Sequence, residues 1–256
     1  MNNVTNVESL YSTEYKRFLG EEESLWKVNA ILPLLDVCGE RLREKDEINI
    51  MDVGGGAGLI LKEVANHLES RKGMKINKIA LDVSPELLEI QGSNNPGVMK
   101  LLNENIENTS LKDKEIDITL MLDVLEHLRN PTLALKEVSR ISKFVIFKVP
   151  LEKNLAWQVR ELITLGGYRK WSIKTIGHVN IYNYSSLKKD IELYCGEVLL
   201  HSFTDARSLS LIHCRESVSF PRWLYYQIAR ATFKLSPRLC VFLFGDFVVM
   251  LVTCHE

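Results

Sequence analysis

Several things are missing from this sequence, and each absence removes a class of explanation. The five cysteines (Cys38, Cys195, Cys214, Cys240 and Cys254) are odd in number and scattered, with no CxxC pair, so neither a disulfide framework nor a cysteine zinc site is suggested, and a reducing, cytoplasmic setting is expected. Basic excess is missing too: 32 Lys and Arg stand against 33 Asp and Glu, a formal net charge of -1. Such a chain has no overall field with which to hold a phosphate backbone, and no nucleic-acid partner is expected. Met1 to Ser12 has neither the basic start nor the apolar stretch of a secretory signal, so export is not expected. The longest apolar run, Leu239 to Cys254, is interrupted by Gly245 and Asp246 and falls short of the ~20 residues that span a bilayer. It reads as a helix end followed by a buried strand. No internal repeat or low-complexity tract is present.

What is there is a soluble-looking chain of 256 residues, 46% hydrophobic, a length at which one α/β domain can bury a sizeable core. A helical segment with Tyr15, Phe18, Trp26, Ile31, Leu34 and Leu35 as its apolar face leads into a strand at Ile48 to Val53. Glycines follow at once, and Leu59, Leu61, Val64, Ala65 and Leu68 then recur at helical spacing, before a second strand at Ile79 to Val83. The alternation continues with a helix opening at Ser84 and Pro85, a strand near Val98 to Leu101, a strand at Ile116 to Leu122, a helix around Thr132 to Ile141 and a strand at Phe144 to Val149. This order predicts a doubly wound, seven-stranded, mostly parallel sheet with helices on both faces. Residues 152–174 read as an insertion over the carboxyl edge of the sheet, before a sixth strand at Glu197 to Ser202. Phe220 to Phe244 reads as helix with a break at Pro237, and Phe247 to Thr253 as the last strand. The whole chain is taken as a single domain, with 1–47 as a helical cap, 48–150 as a cofactor-binding core and 151–256 as an acceptor-side insertion plus the last strands.

The segment Ile50-Met51-Asp52-Val53-Gly54-Gly55-Gly56-Ala57-Gly58 ends a strand and opens a helix, where free backbone N–H groups and absent side chains let a ligand come close. A dinucleotide fingerprint would want its third glycine at Leu59. The pattern is instead GxGxG preceded by Asp52, and a carboxylate there repels a pyrophosphate but suits a ligand carrying an ammonium and a sulfonium. Asp82, at the end of the second strand, suits the two hydroxyls of a ribose.

Together, IMDVGGGAG, ALDVSPELL, LNENIENTSLKDKEIDITLMLDVLEHLRNP and IFKVP resemble the successive motifs of class I methyltransferases, which use S-adenosylmethionine. The resemblance runs from Ile48 to Pro150. It resumes at Gly177-His178-Val179-Asn180-Ile181-Tyr182, which is similar to relatives of the ubiquinone-biosynthesis O-methyltransferases. It implies that Asp52, Gly54, Gly56 and Gly58 hold the methionine moiety and Asp82 the ribose, with Val83, Asn105 and Ile106 at the adenine end and Leu122 against the cofactor. Asn105 stands where the family usually has Asp, and its side-chain carbonyl can accept the same hydrogen bond.

Methyl transfer from a sulfonium needs alignment above all, with a general base only for a hydroxyl-like acceptor. Asp123, Glu126, His127 and His178 are the catalytic candidates. No metal is assigned, although the resemblance implies a divalent-ion alternative in which Asp123, Glu126 and His127 are the ligands. Tyr168, Trp171 and Tyr182 are candidates for an aromatic acceptor wall, against the plainer reading that they form the insertion's own small core. Arg222, Arg230 and Lys234 fall on one side of a helix whose other side carries Leu224, Ile228, Ala231 and Leu235. Packing on the domain is the plain reading of that helix, and a peripheral membrane contact through 222–244 the alternative. The expected activity is methylation of a small-molecule acceptor, lipidic or phenolic, at oxygen; methylation at nitrogen or carbon, a cofactor-binding protein without turnover and a nicotinamide-dependent oxidoreductase are the rivals.

Overall fold

A computed structural model describes residues 21–73, 75–206 and 219–256. The candidate positions Tyr15 and Phe18, and Cys214, lie outside the described residues. Helix α1 (Glu21–Arg41) leads to β1 (Glu47–Val53), followed by α2 (Leu59–Lys72), β2 (Lys75–Leu81), α3 (Pro85–Asn94), β3 (Val98–Leu102) and β4 (Ile116–Leu122). A single 3₁₀ turn (Leu125–His127) precedes α4 (Pro131–Ile141) and β5 (Ser142–Pro150). The second half holds α5 (Leu155–Ile163), α6 (Gly167–Thr175), α7 (Tyr184–Tyr194), β6 (Gly196–Phe203), α8 (Phe220–Leu235), α9 (Pro237–Phe244) and β7 (Phe247–Cys254).

The strands form one seven-stranded sheet in the order β3-β2-β1-β4-β5-β7-β6. All neighbours from β3 to β5 are parallel, and β7 runs antiparallel to both β5 and β6. The expected doubly wound sheet is therefore present. Alternation along β1 explains its layers. Ile48 and Ile50 face a core completed by Ile31 and Leu35 of α1 and Leu61, Val64 and Leu68 of α2. Met51 and Val53 face the opposite core, with Leu135 and Val138 of α4 and Leu187 and Ile191 of α7. Every residue of β4 is buried, as a central parallel strand covered on both faces requires.

Two details depart from the sequence reading. The second strand runs from Lys75 to Leu81 rather than from Ile79 to Val83. Its polar start is held by partners on β1: Lys75 Nζ reaches Glu47 at 2.5 Å and Asn77 donates to the Asn49 side chain at 3.0 Å. Val83 has left the sheet and is 55% exposed. The second departure concerns packing: of the sixteen residues of α8 only Ala229 is buried, so this helix is not folded tightly onto the domain. Among the described residues no helix is long and apolar enough to cross a membrane.

Candidate functional site

The strand order reverses between β1 and β4, and the crevice at their carboxyl ends is where ligands of open α/β sheets bind. The glycine turn after β1 lies there. Gly54, Gly56 and Gly58 have φ of 64°, 55° and 76°, a region that L side chains avoid and glycine enters freely. The turn is gripped from behind by the end of α3, where Asn94 Nδ2 donates to the Ala57 carbonyl at 2.9 Å and Asn95 Nδ2 to that of Gly58 at 2.7 Å. Gly55, which the sequence reading passed over, is required for another reason: a Cβ there would stand 2.1 Å from Asp52 Oδ2.

Asp52 itself is 1% exposed, and its Oδ2 has no hydrogen-bond partner among the described residues. Burial, reinforced by the Asp82 charge and opposed by Lys27, pushes its carboxyl up to about 7. A buried carboxylate with one oxygen unpartnered is an unfavourable arrangement that a cationic ligand nearby would relieve. Asp82, also buried, accepts from the Ser84 backbone at 2.9 Å; burial raises it from the ordinary carboxylate value. Asn105 is exposed, with its Oδ1 accepting from the Glu107 backbone at 2.9 Å, while Ile106 and Leu122 are buried.

The turn after β4 holds the other candidates, and it sorts them differently from the sequence reading. Ligand atoms of Glu126, His127 and His178 all lie within 4.8 Å of one another. Asp123 stands apart from that group. It takes φ of 59° and is held by two ammonium groups, Lys148 Nζ at 2.5 and 2.7 Å and Lys27 Nζ at 2.9 Å. Burial alone would raise the Asp123 carboxyl, but the two lysines outweigh it and hold it below the ordinary range. Lys148 is 1% exposed, its ammonium 3.6 Å from the centre of the Phe247 ring. Burial lowers the Lys148 pKa.

His127 Nδ1 lies 3.1 Å from the Gly177 carbonyl. A carbonyl only accepts, so this bond places the proton on Nδ1 and leaves the lone pair on Nε2 of the neutral ring. Burial, with the His178 ring 4.8 Å away, depresses His127 to about 4, so the imidazole is neutral at pH 7. Glu126 is 1% exposed, and burial together with Asp123 raises its carboxyl well above the usual range. His178 Nδ1 approaches Glu152 Oε1 at 2.9 Å. Asn180 fastens the whole turn, donating from its backbone to the Glu126 carbonyl at 3.0 Å and from its side chain to the Leu125 and Leu128 carbonyls at 3.2 and 2.6 Å. The Gly-His-Val-Asn segment thus docks on the Leu-Glu-His turn although about fifty residues separate them.

Lys27, Lys148, Glu152 and Asn180 were not among the expected site residues. A lysine in the otherwise apolar Phe-Lys-Val strand was the one sequence signal that could have found Lys148. The aromatic trio does not assemble: Tyr168 and Trp171 stack 5.5 Å apart on the insertion, whereas Tyr182 is buried in the core against α7.

Residues 51–143, from the end of β1 to the start of β5, match the family model described as a methyltransferase domain. The matched segment, 51–143 of 256 residues, is a methyltransferase domain. Solved structures are similar in fold at low identity. A chain from a complex between the Haloferax volcanii Trm112 methyltransferase activator and a candidate methyltransferase is 15% identical, with TM-score 0.67 and 97% of each chain covered. A sarcosine dimethylglycine methyltransferase from Galdieria sulphuraria, assigned provisionally, is 14% identical with TM-score 0.59, covering 90% of this chain and 85% of that one. The geranyl diphosphate C-methyltransferase of Streptomyces coelicolor, solved with Mg²⁺, a thiolodiphosphate and S-adenosylhomocysteine, is 10% identical with TM-score 0.57, covering 86% and 76%. Among curated protein sequences nothing matches the chain.

Proposed function

We propose that this methyltransferase acts on a hydroxyl of a small-molecule acceptor, with His127 as the general base. The observation that carries this reading is the tautomer of His127: Gly177 fixes its Nδ1 proton, which leaves Nε2 to take the acceptor's proton, at the carboxyl end of a central strand. In this reading the chain divides into a cap (1–47), a cofactor-binding core (48–150) and an acceptor side (151–256), of which 1–20, 74 and 207–218 lie outside the described residues. The resemblance of 177–182 to the ubiquinone-biosynthesis O-methyltransferases supports an oxygen acceptor.

The residues present fit the cofactor. The partnerless buried oxygen of Asp52 favours a cationic methionine end over the glycine turn, Asp82 accepts from the ribose hydroxyls, and Val83, Asn105 and Ile106 flank the adenine, with Leu122 beside the cofactor. When bound, S-adenosylmethionine supplies an electrophilic methyl on a sulfonium. The protein's part is to align the acceptor oxygen, exclude water and receive a proton at His127 Nε2. Burial and the neighbouring Asp123 shift Glu126 toward its protonated form, and His178, whose Nδ1 lies beside Glu152 Oε1, forms the opposite wall.

A divalent-ion reading is supported by the convergence of Glu126, His127 and His178, with His178 in the place first expected for Asp123. Turnover of His127→Ala tests whether His127 takes part in the chemistry, and the response of the parent to a chelator separates the two readings. As a base, His127 contributes on the order of 10²–10⁴-fold in kcat with little change in S-adenosylhomocysteine affinity, and chelators leave the parent's rate unchanged. Loss of the parent's activity in a chelator, with recovery on adding a divalent ion, would replace the base by a metal. Unchanged turnover of the variant would remove His127 from the chemistry.

A further inference from the structure

The helices that follow β5 and β6 leave an unusual surface uncovered. Helix α5 buries none of its residues, α6 buries only Ser172, and α9 only Cys240 and Val241. The six most exposed large apolar side chains among the described residues all lie in this region: Leu162, Ile163 and Leu165 at the end of α5, Phe220 and Leu235 at the two ends of α8, and Phe242 in α9, each between 63% and 90% exposed. The helices form one connected group. Helix α5 packs on α6 and on α9, and α9 on α8; the Arg160 guanidinium of α5 lies 5.6 Å from the Tyr168 ring of α6 and 5.8 Å from that of Tyr225 on α8.

Charge selects the occupant. Residues 155–176 carry Arg160, Arg169, Lys170 and Lys174 against Glu161 alone, and residues 219–244 carry Arg222, Arg230, Lys234 and Arg238 with no acidic residue. A net charge of +7 is thus gathered on 48 residues of a chain whose total is -1. Trp171 and Trp223 are both about half exposed on the same helices. Exposed leucine, phenylalanine and tryptophan among cations is the composition of a surface that lies in the headgroup layer of an anionic bilayer, apolar groups toward the chains and cations toward the phosphates. An acidic protein surface would satisfy the cations but leave the leucines without a partner.

A receptor for a headgroup is also present. Between α5 and α8 runs an open groove of about 680 Å³ lined by Arg160, Ser219, Arg222, Tyr225, Tyr226 and Phe244. Arg222 Nε donates to the Tyr226 hydroxyl at 2.9 Å, which holds that guanidinium at the rim. Two guanidiniums beside hydroxyl groups make a setting for a phosphate. We propose that the α5–α6 and α8–α9 face docks the protein on an anionic phospholipid bilayer, with a headgroup phosphate seated between Arg160 and Arg222. Because α5 and α6 connect β5 to Gly177 and His178, docking brings the mouth of the site to the bilayer. The binding itself is independent of the methyl-transfer reading.

The test is co-sedimentation of the full chain with vesicles of phosphatidylcholine alone and of phosphatidylcholine mixed equally with phosphatidylglycerol. The protein is expected to sediment with the mixed vesicles only, and less as salt is raised. Arg160→Glu with Arg222→Glu should lower the bound fraction about tenfold or more, whereas Lys62→Glu with Lys189→Glu, an equal change of charge away from this face, should bind like the parent. A second pair, Phe220→Ser with Trp223→Ser, tests the apolar contribution if the arginine pair does not fold, and should weaken binding as well. Absence of binding to the mixed vesicles, equal loss in the Lys62 and Lys189 pair, or light scattering that shows a dimer dissolved by the arginine pair without any vesicle binding would overturn the proposal.

Discussion

Asp52 shows how one residue can be legible in identity and illegible in state. Its place ahead of a glycine turn is visible in the sequence; its burial, its partnerless oxygen and the need for Gly55 beside it are products of the fold. The pH consequence follows from its sign. An unfolded aspartate releases its proton near 3.8, whereas folded Asp52 holds it to about 7, so between these values the folded chain binds more protons and loses stability as pH rises. Asp52→Asn should therefore stabilise the cofactor-free protein at pH 8, by on the order of 2–4 kcal/mol, and give little at pH 4. Urea unfolding at the two pH values checks this, and an equal effect at both would mean that Asp52 is ionised in the folded protein at low pH. His127 was likewise visible as a candidate, but its tautomer depends on the Gly177 carbonyl, fifty residues away, and no local pattern encodes that.

At the scale of elements, the alternation of apolar periods located all seven strands, because buried parallel strands are written in Val, Ile and Leu. The start of β2 carries no such pattern, because Lys75 and Asn77 are satisfied by β1 rather than by burial. Nor does apolar spacing record the tie of α1 to the site. Lys27 of α1, Asp123 after β4 and Lys148 of β5 meet in one ion cluster, and that meeting sets the position of the helix over the carboxyl edge. Asp123→Ala would leave the Lys148 ammonium buried without its carboxylate, at a cost of roughly 3–5 kcal/mol. Adding Lys148→Met should return most of that loss, since an apolar side chain suits a site between Phe247 and Trp26. Chemical denaturation in the presence of a chelator measures both. A double variant no more stable than Asp123→Ala would show that the cluster is not what fixes these elements.

For the molecule as a whole, the strand order sets the glycine turn, Asp82 and the Leu-Glu-His turn at the carboxyl ends of the neighbouring strands β1, β2 and β4. The exposed apolar face of α5, α6, α8 and α9 was only half anticipated, because amphipathic spacing is the same whether a helix packs on its own domain or on something else. In the proposed function the turn behind Asp52 receives S-adenosylmethionine. Calorimetric titration of the full chain with S-adenosylhomocysteine, alongside NAD and the Gly56→Val variant, tests it most directly. Saturable binding of S-adenosylhomocysteine, no heat with NAD and loss of binding in Gly56→Val are expected, because the variant forces a β-branched side chain into φ of 55°. Binding of NAD in place of S-adenosylhomocysteine, or undiminished affinity in a folded Gly56→Val protein, would contradict it.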